Sequence, residues 1–407
     1  MAAGLLSFVA GCRWRGPRGG RAFGFGRSPA GQVYRHQGGG CVTARLWEFA
    51  PLDVFFFRDA SPYNAGEGGW TGAGGFFPPF MSTLQGAVRT ALAYGRGWRP
   101  ERPDMWPGEL GGPDDPGRVV LRGPYLFSEG EILLPAPLNI LCRKDAGDKR
   151  YHYIRLVPGP AVECDLGLVR LPEPTENAAG ATELQGAWLS GQGMAEVLAG
   201  GLPGDGQVFQ ASALWREEPR VGIERDRRRR TAVEHKLYSA TFTRLCQGVS
   251  LQVEVSGLTD EWYDGVPAVI PLGGEGRLAR IRIAEQGLDL PELPAVHRDG
   301  DKIRFTVTLI TSGSFPDVAS AVRNGPPEVP GRCVAACTGR MQQSGGWDLK
   351  SHAPRPLRPL IPAGSTWFFE TEGSRAAEVQ VLHGKCLGDG QAWGLGQVLI
   401  GRWEEKT

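Results

Sequence analysis

The stretch from Trp47 to Leu92, WEFAPLDVFFFRDASPYNAGEGGWTGAGGFFPPFMSTLQGAVRTAL, constrains the fold more than any other part of this chain. It sets out a hydrophobic strand, a glycine-rich loop, two adjacent prolines and an amphipathic helix, in that order. Leu84, Ala87, Val88, Ala91 and Leu92 recur at helical spacing and make one apolar face. Pro78-Pro79 keep the backbone from turning helical any earlier, and Ser82 with Gln85 three residues on reads as a capping box. A glycine loop feeding a helix start offers backbone N–H groups and the positive end of the helix dipole, which suits an anion. No Gly-Lys-Ser/Thr triplet follows, so the site invites a phosphate backbone more than a nucleoside triphosphate.

Beyond this unit, 60 glycines and 32 prolines in 407 residues imply short elements joined by many turns, over a length that allows two domains. The net charge of +1 conceals an asymmetry, because residues 1–44 hold six arginines and no acid, leaving the remainder net negative by about five. Any nucleic-acid surface must therefore be local. Within residues 1–44, Val9-Ala10-Gly11-Cys12 looks like a lipoprotein box, but no positive charge precedes it. An organellar presequence would share the arginines, yet it needs an amphipathic helix that this glycine content opposes. The segment reads as a disordered extension, or as a start placed too early with Val42 near the true beginning. Eight cysteines are scattered, and the C-x3-C of Cys333 and Cys337 has no second pair to close a metal site. They read as free thiols in a reducing, cytoplasmic setting, with no metal and no cofactor. No apolar run approaches the roughly 18 residues of a membrane span.

In the body, VVLRGPYLFSEGEILLP reads as short strands turning on Ser128-Glu129-Gly130, and the segment from Gly186 to Gly201 as a short helix. LYSATFTRL, VSLQVEVSG, RLARIRIA, KIRFTVTLIT and STWFFE then form a strand-rich second half. The pattern predicts an α+β architecture of antiparallel sheets covered by helices, with domains at 45–210 and 211–407.

The tail carries Gly388, Gly390, Gly394, Gly396 and Gly401 ahead of a strand, where a dinucleotide fingerprint would need a helix. Such glycines serve tight turns with positive φ, or places where another backbone, protein or nucleic acid, comes close. The clearest basic patch is EPRVGIERDRRRRTAVEHKLY, in which Arg220, Arg225 and Arg227 to Arg230 crowd around one aspartate. It reads as the tip of a long β-hairpin contacting nucleic acid or an acidic partner, with a solvated loop as the plainer alternative. Arg58, next to Asp59, and Arg89, on the polar side of the first helix, would add positive charge near the first glycine loop, although Arg58 is equally able to form a plain pair with Asp59. Catalytic sets are poor: the histidines share no HExxH or HxH spacing, and no G-x-S-x-G elbow occurs. His152, between Tyr151 and Tyr153, is the best candidate for a metal-free ribonuclease, although an ordinary surface or core histidine is the plainer reading. Trp347 after Gly345-Gly346 is suited to stack a base, against the plainer expectation of a buried tryptophan.

Together these residues resemble the RAMP superfamily of CRISPR effector proteins, and within it the third subunit of the type III-B (Cmr) complex. The resemblance runs from Leu46 to Trp403. It is carried by EFAPLDVFFFRDASPYNAG with FPPFMSTLQGAVRTAL, LRGPYLF with LLPAPLNIL, the arginine-rich stretch, GGWDLKSHAPRPLRPLIPAGSTWFFE and GLGQVLIGRW. It implies two ferredoxin-like, RRM-like domains in a cytoplasmic, non-catalytic antiviral subunit. Its partners would be the 5′ handle of a guide RNA, a large palm-domain subunit and the first backbone subunit. Carried over by position, Arg58, Asn64, Gly66 and Ser82 would hold RNA backbone, and Arg220, Arg225, Arg227 and Arg228 would reach the handle. Gly394 and Gly396 would form the superfamily's C-terminal glycine loop, from which Gly388 and Gly390 depart in spacing. The rivals are a metal-independent endoribonuclease processing repeat RNA, the equivalent subunit of a sister type III complex, and an adaptor that touches only protein.

Overall fold

A computed structural model describes residues 44–58, 72, 73, 75–144, 151–164, 167–184, 186–226, 228, 229, 231–348, 351 and 353–405. The expected N-terminal extension lies outside them but for Ala44. Two units of the same plan make up the body. In the first, β1 (Arg45–Pro51), α1 (Met81–Gly95), β2 (Val120–Ser128), β3 (Val249–Ser256) and β4 (Leu278–Ala284) follow in sequence. They lie in the order β2-β3-β1-β4, with every neighbour antiparallel. A 3-10 turn, Asp260–Tyr263, and the short strand Val269–Pro271, which pairs with β4, stand between β3 and β4. In the second unit, β5 (Lys302–Leu309), α2 (Val318–Asn324), β6 (Arg332–Cys337), β7 (Thr366–Glu372), α3 (Ala376–Gln380) and β8 (Val398–Arg402) follow in turn. Their order is β6-β7-β5-β8, again antiparallel. The mixed α/β architecture with mainly antiparallel sheets and few helices is therefore as predicted.

The division near residue 210 is not where the sheets part. VSLQVEVSG and RLARIRIA, assigned by sequence to the second half, are β3 and β4, and they flank β1 on either side. The residues from 129 to 248 form one long insertion between β2 and β3, and the true change of sheet falls between β4 and β5. Parts of the insertion widen the first sheet beyond β2, through Glu131–Pro135, Ala187–Ser190 and Val208–Gln210. Its first hairpin turns on Glu129 and Gly130 at φ 50° and 87°, as a two-residue turn of the primed kind requires. The expected helix from Gly186 begins instead as strand Ala187–Ser190. It coils only over Gly191–Leu198, where the Ser190 hydroxyl accepts the Gly193 N–H at 3.1 Å. The insertion then adds a four-stranded sheet and the long hairpin Trp215–Arg225/Ala232–Leu245, the latter as predicted.

Both faces of the first sheet are covered, which explains why β1 is apolar on both sides. Trp47 and Phe49 meet Leu84, Val88 and Leu92 of α1. Leu46 and Tyr125, on the opposite face, meet Leu189, Met194 and, from the second unit, Ile310 and Leu399. The second unit has its own core of Phe305, Val307, Trp367, Phe369 and Ile400. Cys333 and Cys337 lie in β6, where burial pushes both thiols up to about 12, and no metal-holding cluster occurs among the described residues. No helix among them is long and apolar enough to cross a membrane.

The tail ties the two units together. Trp393–Gly394 runs parallel to Leu121–Arg122 of β2, and the Leu121 N–H donates to the Ala392 carbonyl at 2.9 Å. The same loop reaches the second unit, where Gly396 N–H donates to Ser312 at 2.9 Å and Asp389 N–H to Ser314 at 2.7 Å.

Candidate nucleic-acid interface

Between the units, at the start of α1, lies a cleft of about 580 Å³. Its first wall follows from Pro78 and Pro79, which hold the chain extended until it coils at Met81. Phe80 is the N-cap residue, and no side chain caps the helix. The predicted capping box is therefore replaced. Ser82 lies in the first turn, and Gln85 Nε2 donates to the Ser82 carbonyl at 3.0 Å instead of capping an N–H. Ser82 lines the cleft beside Phe76 and Phe80, whose rings stack at 4.3 Å. The opposite wall is the segment between β6 and β7. Arg355 Nη2 donates to the Pro113 carbonyl at 2.8 Å, and the Arg355 N–H donates to Gly346 at 2.9 Å, which clasps this segment to the first unit. Gly346, at φ 144°, lies against the helix start, since a Cβ there would sit 4.0 Å from Ser82 Oγ.

Exposed Arg358 and half-buried Arg355 border this space, together with Asp114, Asp348 and Asp389. The charge of the lining is therefore mixed, and its walls are rich in proline and aromatic surface. Such a cleft holds bases and sugars better than a run of phosphates, apart from the one position facing the helix dipole.

The predicted site residues divide into groups. Ser82 stands on the cleft wall. Arg58 is exposed and bridges Gly75 through backbone pairing, while Asn64 and Gly66 lie outside the described residues. Arg89 is not a surface cation. It is 5% exposed, and its guanidinium donates to Leu110 O at 2.7 Å, Gly112 O at 2.7 Å, Asp115 O at 3.2 Å and Gln85 Oε1 at 3.0 Å. Burial pulls it down to about 10, and Trp393 lies 5.1 Å from it. It anchors the 108–115 loop over α1, which is why it cannot reach a ligand.

The arginine patch is split. At the hairpin base, Arg220 donates to Glu218 at 2.9 Å and lies 3.4 Å from Asp53. Arg244 binds the same two carboxylates, with Asp53 at 2.9 Å. Hydrogen bonds from Arg244, and then from Arg220, hold Glu218 below the usual carboxylate range, and Asp53 is lowered chiefly by Arg244. Arg220 is thus paired within the protein, sharing the two carboxylates with Arg244 and with Arg277, which lies 3.8 Å from Asp53. The tip is open at its described residues. There Arg228 and Arg229 are exposed while their N–H groups donate to Asp226 at 2.7 and 3.0 Å. Arg225 ends the first strand of the hairpin, and Arg227 lies outside the described residues.

Gly394 and Gly396 serve the chain's own packing. A Cβ at Gly394 would meet the β2 backbone at 3.2 Å, and one at Gly396 would lie 2.0 Å from the Leu387 carbonyl, both at positive φ. The backbone that approaches the glycine loop is protein, which leaves Gly390, Trp393 and Leu395 to face the cleft. His152 pairs with Glu176 at 3.0 Å on the four-stranded sheet, and no histidine is among the described residues lining the cleft. Arg355 and Arg358 were missed as site residues. The available signal was PRPLRP, whose prolines keep the segment extended and its arginines outside a core.

The family of CRISPR-associated proteins Cas_Cmr3 matches residues 47–403. No curated protein matches the sequence. Among solved structures, the chain is similar to one in a type III-B Cmr-beta complex bound to cognate target RNA. The identity is 15%, over 80% of this chain and 86% of that one, with a TM-score of 0.46. It is also similar to a chain of the Csm3-Csm4 subcomplex of the type III-A CRISPR-Cas interference complex, at 10% identity over 89% and 100%, with a TM-score of 0.37.

Proposed function

Since the chain belongs to the Cas_Cmr3 family of CRISPR-associated proteins, we propose that it is a non-catalytic RNA-binding subunit of a type III-B effector complex, holding the 5′ handle of the guide RNA. In this reading it docks on the large palm-domain subunit and the first backbone subunit, and acts in the cytoplasm. Both units are ferredoxin-like on this view, a reading supported by the shared β2-β3-β1-β4 and β6-β7-β5-β8 orders. The observation that carries the proposal is the cleft at the uncapped start of α1, walled by apolar surface and bordered by Arg355 and Arg358. Unpaired bases lie against its walls, one phosphate faces the helix start, and the hairpin tip with Arg228 and Arg229 holds further phosphates.

Ultraviolet crosslinking of the native complex tests this. Repeat-derived 5′ ends should join to peptides spanning 76–85, 345–358 or the hairpin tip. A complex that carries guide RNA but shows no crosslink on this chain would favour a protein-only adaptor. Cleavage of repeat RNA in EDTA by the purified chain, lost in His152→Ala, would instead establish the ribonuclease.

A further inference from the structure

Trp347 is 59% exposed, whereas Trp47, Trp367 and Trp403 are at most 1% exposed. An indole left in water forgoes the largest apolar burial any side chain can offer, so its position calls for an occupant. It forms a two-stranded ladder in which Trp347 pairs with Pro354, which puts the two side chains on one face, and Pro354 lines the cleft. The platform is fixed in place. The preceding Gly346 lies against the start of α1, and Arg355, next to Pro354, is bonded to both Gly346 and Pro113.

We propose that Trp347 is a stacking platform for one unpaired nucleobase beside the cleft, on the face it shares with Pro354. This rests on the RNA-binding reading above. A nucleobase is favoured over a protein contact because the indole shares one flat apolar face with Pro354, which lines the cleft that holds bases on that reading.

The test uses the full chain and a labelled single-stranded RNA oligonucleotide. Trp347→Ala should weaken binding about 5- to 150-fold, the range of a single base–aromatic stack, with the salt slope unchanged. Trp347→Phe should restore most of it. An abasic site at one RNA position should cost the native chain a similar factor and the alanine variant nothing. Unchanged affinity in Trp347→Ala, in a chain that still binds RNA, overturns the platform and leaves the RNA-binding reading standing. A native chain that fails to bind RNA overturns both. Normal RNA affinity combined with loss of a subunit from the native complex of the variant assigns Trp347 to a protein contact instead.

Discussion

Replacing Arg89 with methionine separates a structural role from a ligand-binding one. The guanidinium supplies four hydrogen bonds, three of them to the carbonyls of Leu110, Gly112 and Asp115, from a site only 5% exposed. Charge-assisted bonds of this kind contribute about 1.5–3 kcal/mol each, so those to Leu110 and Gly112, both at 2.7 Å, would be worth about 3–6 kcal/mol. Methionine also removes the desolvation cost of a buried cation, which returns part of that loss. The net destabilisation should be about 2–4 kcal/mol, read as a fall of about 3–5 °C in melting temperature. Limited proteolysis should cut first in the 108–115 loop, because that loop loses its anchor. Arg89→Lys, which keeps the charge but not the fork of donors, should destabilise nearly as much. In RNA binding, the salt slope should match that of the native chain. A variant of native stability with a slope reduced by about 1 would show Arg89 to be a phosphate contact, refuting the argument from burial.

Other perturbations follow the same logic. Gly396→Ala forces a Cβ to within 2.0 Å of the Leu387 carbonyl at φ 76°, and should cost about 2–4 kcal/mol in urea titration. Changing Arg228 and Arg229 together to Ala should lower the salt slope of RNA binding by about 2, whereas Arg220→Ala should leave it unchanged because that charge is held by Glu218 and Asp53. His383 accepts the Ile400 N–H at 3.1 Å and donates through Nε2 to Pro291 O at 2.8 Å, and burial lowers its pKa. The unfolded chain then takes up the proton first, so stability should fall as pH drops below about 6.5, until the lower folded value is reached. His383→Gln should flatten that part of the stability–pH curve.

The strands and the first helix were legible because each depends on a local period. The face of Leu84, Val88 and Leu92 and the turn at Glu129-Gly130 are examples. The domain boundary was not, because nothing in VSLQVEVSG says that it returns across a long insertion to pair with β1. Arg89 was misread for a related reason. It lies on the polar side of its own helix, and the 108–115 loop that buries it is supplied from elsewhere. The tail glycines were correctly seen to permit a close backbone, but sequence could not say whose, and β2 supplies it at Gly394. Trp347 went the other way. Its usual fate is burial, yet it pairs with Pro354 in a short ladder and stays 59% exposed.

The loop from Asp389 to Gly396, hydrogen-bonded to β2 on one side and to Ser312 and Ser314 on the other, turns the cleft into a slot of fixed gauge. Opening it like a jaw would break backbone bonds on one rim, so its width is set when the chain folds and not when cargo arrives. The two units therefore share one mechanical rim, and a shift of either must pass through this loop to the other.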